Sequence, residues 1–74
     1  MTITVKLFAS LRTGRFEEQT LSIGEHTTVR DILARMTIPE NEAANIFIND
    51  RLAGKDAVLA DGDVLAVLPL IGGG

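Results

Sequence analysis

Apolar and polar positions alternate from the first residues onward. In "TITVKLF", Ile3, Val5 and Leu7 alternate with Thr2, Thr4 and Lys6, the period of a half-buried strand. Phe8 breaks the polar side of that alternation. Two readings stand side by side: packing at the sheet edge, or an exposed contact residue. Thr13-Gly14 marks a turn, and strand character resumes through "FEEQTLSI", with Leu21 and Ile23 on one face. The pair predicts an antiparallel hairpin. In "TTVRDILARM" the period changes: Val29, Ile32, Leu33 and Met36 form a helical stripe, Arg30, Asp31 and Arg35 face away, and Thr28 with Asp31 forms a capping pair. Ile38-Pro39 ends it, since the residue before proline is pushed out of the helical region.

Beyond "PENEAAN", the segment "IFIN" reads as a short strand and Asn49-Asp50 as a turn. "RLAGKDAVLADGD" is irregular, with Leu52, Val58 and Leu59 expected as core plugs, and Asp61-Gly62-Asp63 as a second turn. "VLAVLPL" is the final strand. Hydrophobic runs near both ends of the chain predict that Ile3–Phe8 and Val64–Leu68 pair in parallel, with the helix as crossover. The expected fold is α+β: a mixed four- to five-stranded sheet with one main helix over one face, the β-grasp arrangement. Val64–Leu68 has no polar side, so it is either a central strand with unusual exposure or a strand lying under a partner. Residues 1–71 are expected to form the β-grasp domain and 72–74 a flexible glycine tail.

Composition narrows the functional classes. The 74 residues are 46% hydrophobic and 23% charged, which favours folding over disorder. A chain this short buries only about 60% of its unfolded surface, so the core is small. It contains no cysteine, hence no disulfide, thiol nucleophile or thiolate metal site, and it fits a reducing compartment; a cytoplasmic location is expected. No apolar run reaches membrane-spanning length, and the first residues do not read as a signal peptide. Seven basic and ten acidic residues give a net charge of −3, with the basic ones scattered. Nucleic acid and membrane are therefore poor partners, and docking onto a protein with a basic groove is the better fit.

Catalytic chemistry is scarce. His26 is the only histidine and reads as a polar turn residue; Asp61 and Asp63 flank a turn glycine and supply too few ligands for calcium. Ser10 and Ser22 lack a His-Asp relay. The chain is not expected to be an enzyme alone, and no cofactor is expected on it. The remaining candidate is "GGG", three glycines behind an apolar strand and Pro69. A slim extended end can enter a narrow channel and present the Gly74 carboxylate to chemistry performed elsewhere. A carboxylate is a poor acyl donor. Joined to AMP it becomes a mixed anhydride, from which a sulfur nucleophile can displace AMP and leave a thiocarboxylate.

"VKLFASLR", "TTVRDILARM", "IFINDRLA", "LADGDVLAVLP" and the terminal glycine pair together resemble the MoaD/ThiS sulfur-carrier family over essentially the whole chain, most closely its MoaD branch, the small subunits of molybdopterin synthase. The resemblance implies a ubiquitin-like fold and adenylation by a MoeB-like enzyme using ATP and Mg²⁺. A sulfur donor system and a MoaE-like large subunit follow, in molybdopterin synthesis for molybdenum or tungsten cofactor. It makes Gly74 the reacting carboxyl and Gly73 its slim neighbour. It implies that Phe8, Leu65, Val67, Pro69, Leu70, Ile71 and Gly72 face partners. Leu70 and Gly72 depart from the second proline and the small residue other than glycine found in many MoaD tails. A thiamine-thiazole carrier and a ubiquitin-like binding or modifier domain are the alternatives.

Overall fold

The computed structural model describes residues 1–70 of the chain. Five strands, β1 (Thr2–Leu7), β2 (Glu18–Ser22), β3 (Asn45–Ile48), β4 (Arg51–Leu52) and β5 (Val64–Leu68), accompany one α-helix, α1 (Val29–Arg35). Short 3-10 turns occupy Ala9–Arg12 and Glu40–Glu42. The sheet order is β2-β1-β5-β3-β4. β5 thus enters the centre, parallel to β1 and antiparallel to β3, with Val5 beside Leu65, Leu7 beside Val67, and Ile46 beside Val67. The mixed sheet, the antiparallel hairpin and the parallel pairing of the two ends agree with the sequence reading.

The helix starts where its capping chemistry dictates. The Thr28 hydroxyl accepts from the Asp31 N–H at 3.2 Å, and the Asp31 carboxylate accepts from the Thr28 N–H at 2.9 Å. This reciprocal pair satisfies two amides that an unpaired first turn would leave open. Val29, Ile32 and Leu33 bury against Ile3, Val5, Leu7, Ile46, Leu65 and Val67, closing a single core. Leu11 from the first 3-10 turn, Ile23, Ile38, Ala43 and Leu59 complete it.

Of the three expected core plugs, only Leu59 is one, at 2% exposure. Val58 is 59% exposed because it pairs with Thr28 in an isolated bridge, and the alternation sends its side chain outward as Leu59 goes in. Leu52 is 72% exposed because β4 is a two-residue edge strand that pairs it with Phe47, on the sheet face away from the helix. The turns fall where the residues allow them: Asn49 and Asp50 both adopt positive φ (52° and 68°), and Gly62 does so at 86°. Among the described residues no helix is long and apolar enough to cross a membrane.

Candidate functional site

The central position of β5 determines what surrounds the start of the tail. On one side Phe8 donates its N–H to Val67 O at 3.3 Å, the last bond of the parallel ladder. On the other, Leu68 stands opposite Asn45. Pro69 is buried and Leu70 is 63% exposed. The chain therefore leaves the sheet from its middle, between the ends of β1 and β3. Ile71, Gly72, Gly73 and Gly74, all named as site residues from sequence, lie outside the described residues.

The partner-facing residues divide on burial. Leu65 and Val67, expected on that surface, are both 0% exposed and belong to the core beneath α1. Pro69 is buried as well. The apolar run of β5 conceals an ordinary period of two. Its odd residues face the helix, and the outward side belongs to Val64, Ala66 and Leu68, all partly exposed. Phe8, whose role the sequence left open, is 39% exposed and Leu70 is also at the surface.

The open face becomes readable through the registers. Glu18, Lys6, Ala66, Phe47 and Leu52 are successive cross-strand partners, so each of the five strands contributes one residue to a row across the sheet. Thr20, Thr4 and Val64 form the next row, and Leu68 lies beside Asn45 at the tail end. The β2–β1 half is charged and polar; the β5–β3–β4 half is apolar apart from Asn45 at its tail end. Sequence reasoning missed Phe47, Ala66 and Leu68 as surface residues. The available signal was the unpolar β5 run, but only its partners' registers show which of its residues face out. Within the β2–β1 half, Lys6, Leu7, Phe8, Glu17 and Glu18 line a hollow of about 210 Å³. That is below the roughly 300–1,000 Å³ of small-molecule pockets and suits a single partner side chain better than a cofactor.

At the sheet's other end the carboxylates of Asp61 and Asp63 are already engaged. Asp61 accepts from the Thr2 N–H at 2.8 Å, and Asp63 accepts from Ala60 N–H at 2.8 Å and the Asn49 amide at 2.9 Å. They fix the turn that feeds β5. Asp31 is held below the ordinary carboxylate range chiefly by the hydrogen bond from the Thr28 backbone. Arg30, hydrogen-bonded to Glu40 and Asp56, is held above its usual value. Among the described residues, no cluster of three His, Cys, Asp or Glu is placed to hold a metal ion. His26 is exposed in a positive-φ turn (63°).

Comparison with known proteins agrees with this architecture. The ThiS family matches residues 5–74. Among solved structures, molybdopterin converting factor subunit 1 of Pyrococcus furiosus is similar at 26% identity and a TM-score of 0.74, over 96% of this chain and 99% of that one. SAMP1 of Haloferax volcanii gives 26% and 0.76 over 100% of both chains. A complex of subunits 1 and 2 of the molybdopterin-converting factor from Helicobacter pylori contains a chain similar at 26% and 0.67, again over 100% of both. No curated protein matches the sequence.

Proposed function

The chain belongs to the ThiS family, the ubiquitin-like MoaD/ThiS sulfur carriers, and from that premise we propose that it carries sulfur on the carboxyl group of Gly74 for molybdopterin synthesis. A MoeB-like enzyme holding ATP and Mg²⁺ joins the carboxylate to AMP and releases pyrophosphate. A sulfide equivalent from a donor system then adds to the acyl carbon and AMP leaves with the bonding pair, which yields a thiocarboxylate and a proton. The loaded tail enters the active site of a MoaE-like large subunit and gives its sulfur to a pterin precursor. Gly73 lets the end approach without a Cβ in the way. The reaction is proposed for the cytoplasm, where thiol chemistry keeps a thiocarboxylate reduced.

One observation carries this reading. The chain leaves the centre of the sheet at an exposed Leu70, next to an open face whose β5–β3–β4 half is apolar. A partner that covers Phe8, Ala66, Leu68, Phe47 and Leu52 therefore also holds the root of the tail. The likeness to subunit 1 of the converting factor supports the molybdopterin branch.

Incubation with the activating enzyme, ATP and Mg²⁺ should give an AMP adduct, and added sulfide should exchange one terminal oxygen for sulfur, both visible in the intact mass. Deleting Gly74 should abolish both products and leave the melting temperature unchanged. An unmodified mass with an activating enzyme competent on another carrier would refute the proposal. The likeness to SAMP1 favours one second reading, a modifier joined to protein lysines. Recovery of Gly74 in an isopeptide bond would establish it.

A further inference from the structure

The registers show how the sheet stops at the root of the tail. In the parallel β1–β5 ladder, Thr4 N–H donates to Asp63 O at 2.9 Å and Phe8 N–H to Val67 O at 3.3 Å. With Leu7 beside Val67, the next bond of the alternation would run from the N–H of residue 69 to the carbonyl of Phe8. Residue 69 is proline and has no N–H. The Phe8 carbonyl accepts from Leu11 N–H at 3.2 Å as the Ala9–Arg12 turn begins, and it keeps a second lone pair that a donor at residue 69 could use.

The β3 side ends in the same way. Asn49 N–H donates to Val64 O at 2.9 Å, which makes 49/64, 47/66 and 45/68 the hydrogen-bonded pairs of this antiparallel ladder. The next such pair would be Ala43 with Leu70. Ala43 N–H is turned to Glu40 O instead, at 3.2 Å, closing the Glu40–Glu42 turn. One 3-10 turn follows β1 and another precedes β3, both level with the last residue of β5; the second takes up the Ala43 amide, while on the β1 side the missing N–H of residue 69 stops the ladder.

We propose that Pro69, with the engaged Ala43 amide on the β3 side, terminates the sheet at Leu68 and acts as a positioning residue that hands the chain from Leu70 onward to the activating enzyme rather than to the sheet. A tail zipped between β1 and β3 would have to be unpaired before its carboxylate could react. The geometry of the terminator stands independently of the sulfur-carrier reading; its use in adenylation rests on that reading.

Pro69→Val and Pro69→Ala restore a donor at residue 69, valine with the greater strand preference. Two-dimensional NMR hydrogen exchange should find the restored amide protected, by about fivefold over its unstructured rate in Pro69→Val and by less in Pro69→Ala, the gain of one net hydrogen bond. Adenylation kcat/KM of Pro69→Val should fall about fivefold, with the amides of Val5 and Leu65 as protected as in the parent chain. Exchange of the restored amide at the unstructured rate overturns the proposal. So does an unchanged adenylation rate beside a protected amide. Lost protection at Val5 and Leu65 in both variants would make Pro69 a packing residue and also overturn it. If the parent chain itself is never adenylated, the sulfur-carrier reading fails, and the amide measurement alone decides the terminator.

Discussion

Replacing Leu65 by alanine tests the assignment of the two faces of β5. Leu65 is 0% exposed between Val5 and Ile48 in the middle of the sheet, with α1 above it. Truncating a fully buried leucine costs about 2–5 kcal/mol, because the surrounding sheet and helix relax only partly into the space left. A 74-residue domain has about 4–11 kcal/mol of stability in total. At about 4–8 °C per kcal/mol for a domain this size, a loss near 3 kcal/mol lowers the melting temperature by about 12–24 °C. Leu52 is the matched control. It is 72% exposed on the other face, and Leu52→Ala should stay within about 0.5 kcal/mol of the parent chain. Circular dichroism melts, with urea titrations to check that the m-value is constant, measure both. Binding to the proposed MoaE-like large subunit should show the reverse order, weakened by Leu52→Ala and unchanged for the folded fraction of Leu65→Ala. A melting shift for Leu65→Ala below about 5 °C, or equal shifts for the two variants, would refute the assignment of faces.

Two other perturbations address the supports around the helix. Because Asp31 has a folded-state pKa below its ordinary value of 3.8, the unfolded chain binds its proton more readily. The stability it contributes is fully present above that ordinary value and disappears as pH falls through the lower folded one. The urea midpoint of the parent chain should thus exceed that of Asp31→Asn at pH 7, with the difference narrowing below about pH 4. Arg15 donates to Leu11 O at 3.2 Å, Met36 O at 3.3 Å and Thr37 O at 3.0 Å, joining the first 3-10 turn to the end of α1. Arg15→Ala should cost about 1 kcal/mol by urea denaturation, and Arg15→Lys should recover little of it, since an ammonium cannot span the carbonyls that a planar guanidinium reaches.

How far the sequence reached depended on whether a local rule covered the residue. The stripe of Val29, Ile32 and Leu33 and the Thr28–Asp31 pair are set within a few positions, so both were legible. So was Asp61-Gly62-Asp63, where glycine at positive φ is a local requirement. Leu52 and Val58 were misplaced because an isolated apolar residue in an irregular segment has no period to orient it. The cross-strand partner Phe47 across a tight hairpin and the bridge to Thr28, thirty residues away, settle their direction, and neither contact is expressed in a local period. Leu65 and Val67 were misassigned for a related reason. A strand with valine, alanine and leucine on one side and leucine and valine on the other gives no polarity from which to choose its buried face. The reading of the tail rests on the chemistry of a slim carboxylate and the family resemblance alone, since Ile71, Gly72, Gly73 and Gly74 lie outside the described residues.

A domain with one small core cannot bury both faces of its sheet under a single short helix. The apolar half of the open face is therefore a standing risk of association, and the edges direct where association occurs. β4 is only two residues long, too short to template another strand. At the other edge, Arg35 donates to the Ser22 carbonyl at 2.6 Å, engaging an outward acceptor of β2 with the side chain of α1. Glu18 faces Lys6 on the same edge at 3.9 Å, an exposed pair that adds little stability but places charge beside the strand. With both edges blunted, the route to burying Phe8, Ala66, Leu68, Phe47 and Leu52 is face-on docking by a partner of matching shape. Because β5 is central, that docking also brings the partner over Pro69 and Leu70. The alternation that sinks Leu65 and Val67 into the core sets Ala66 and Leu68 outward on the same strand, so core packing fixes the proposed docking surface and the root of the tail relative to each other.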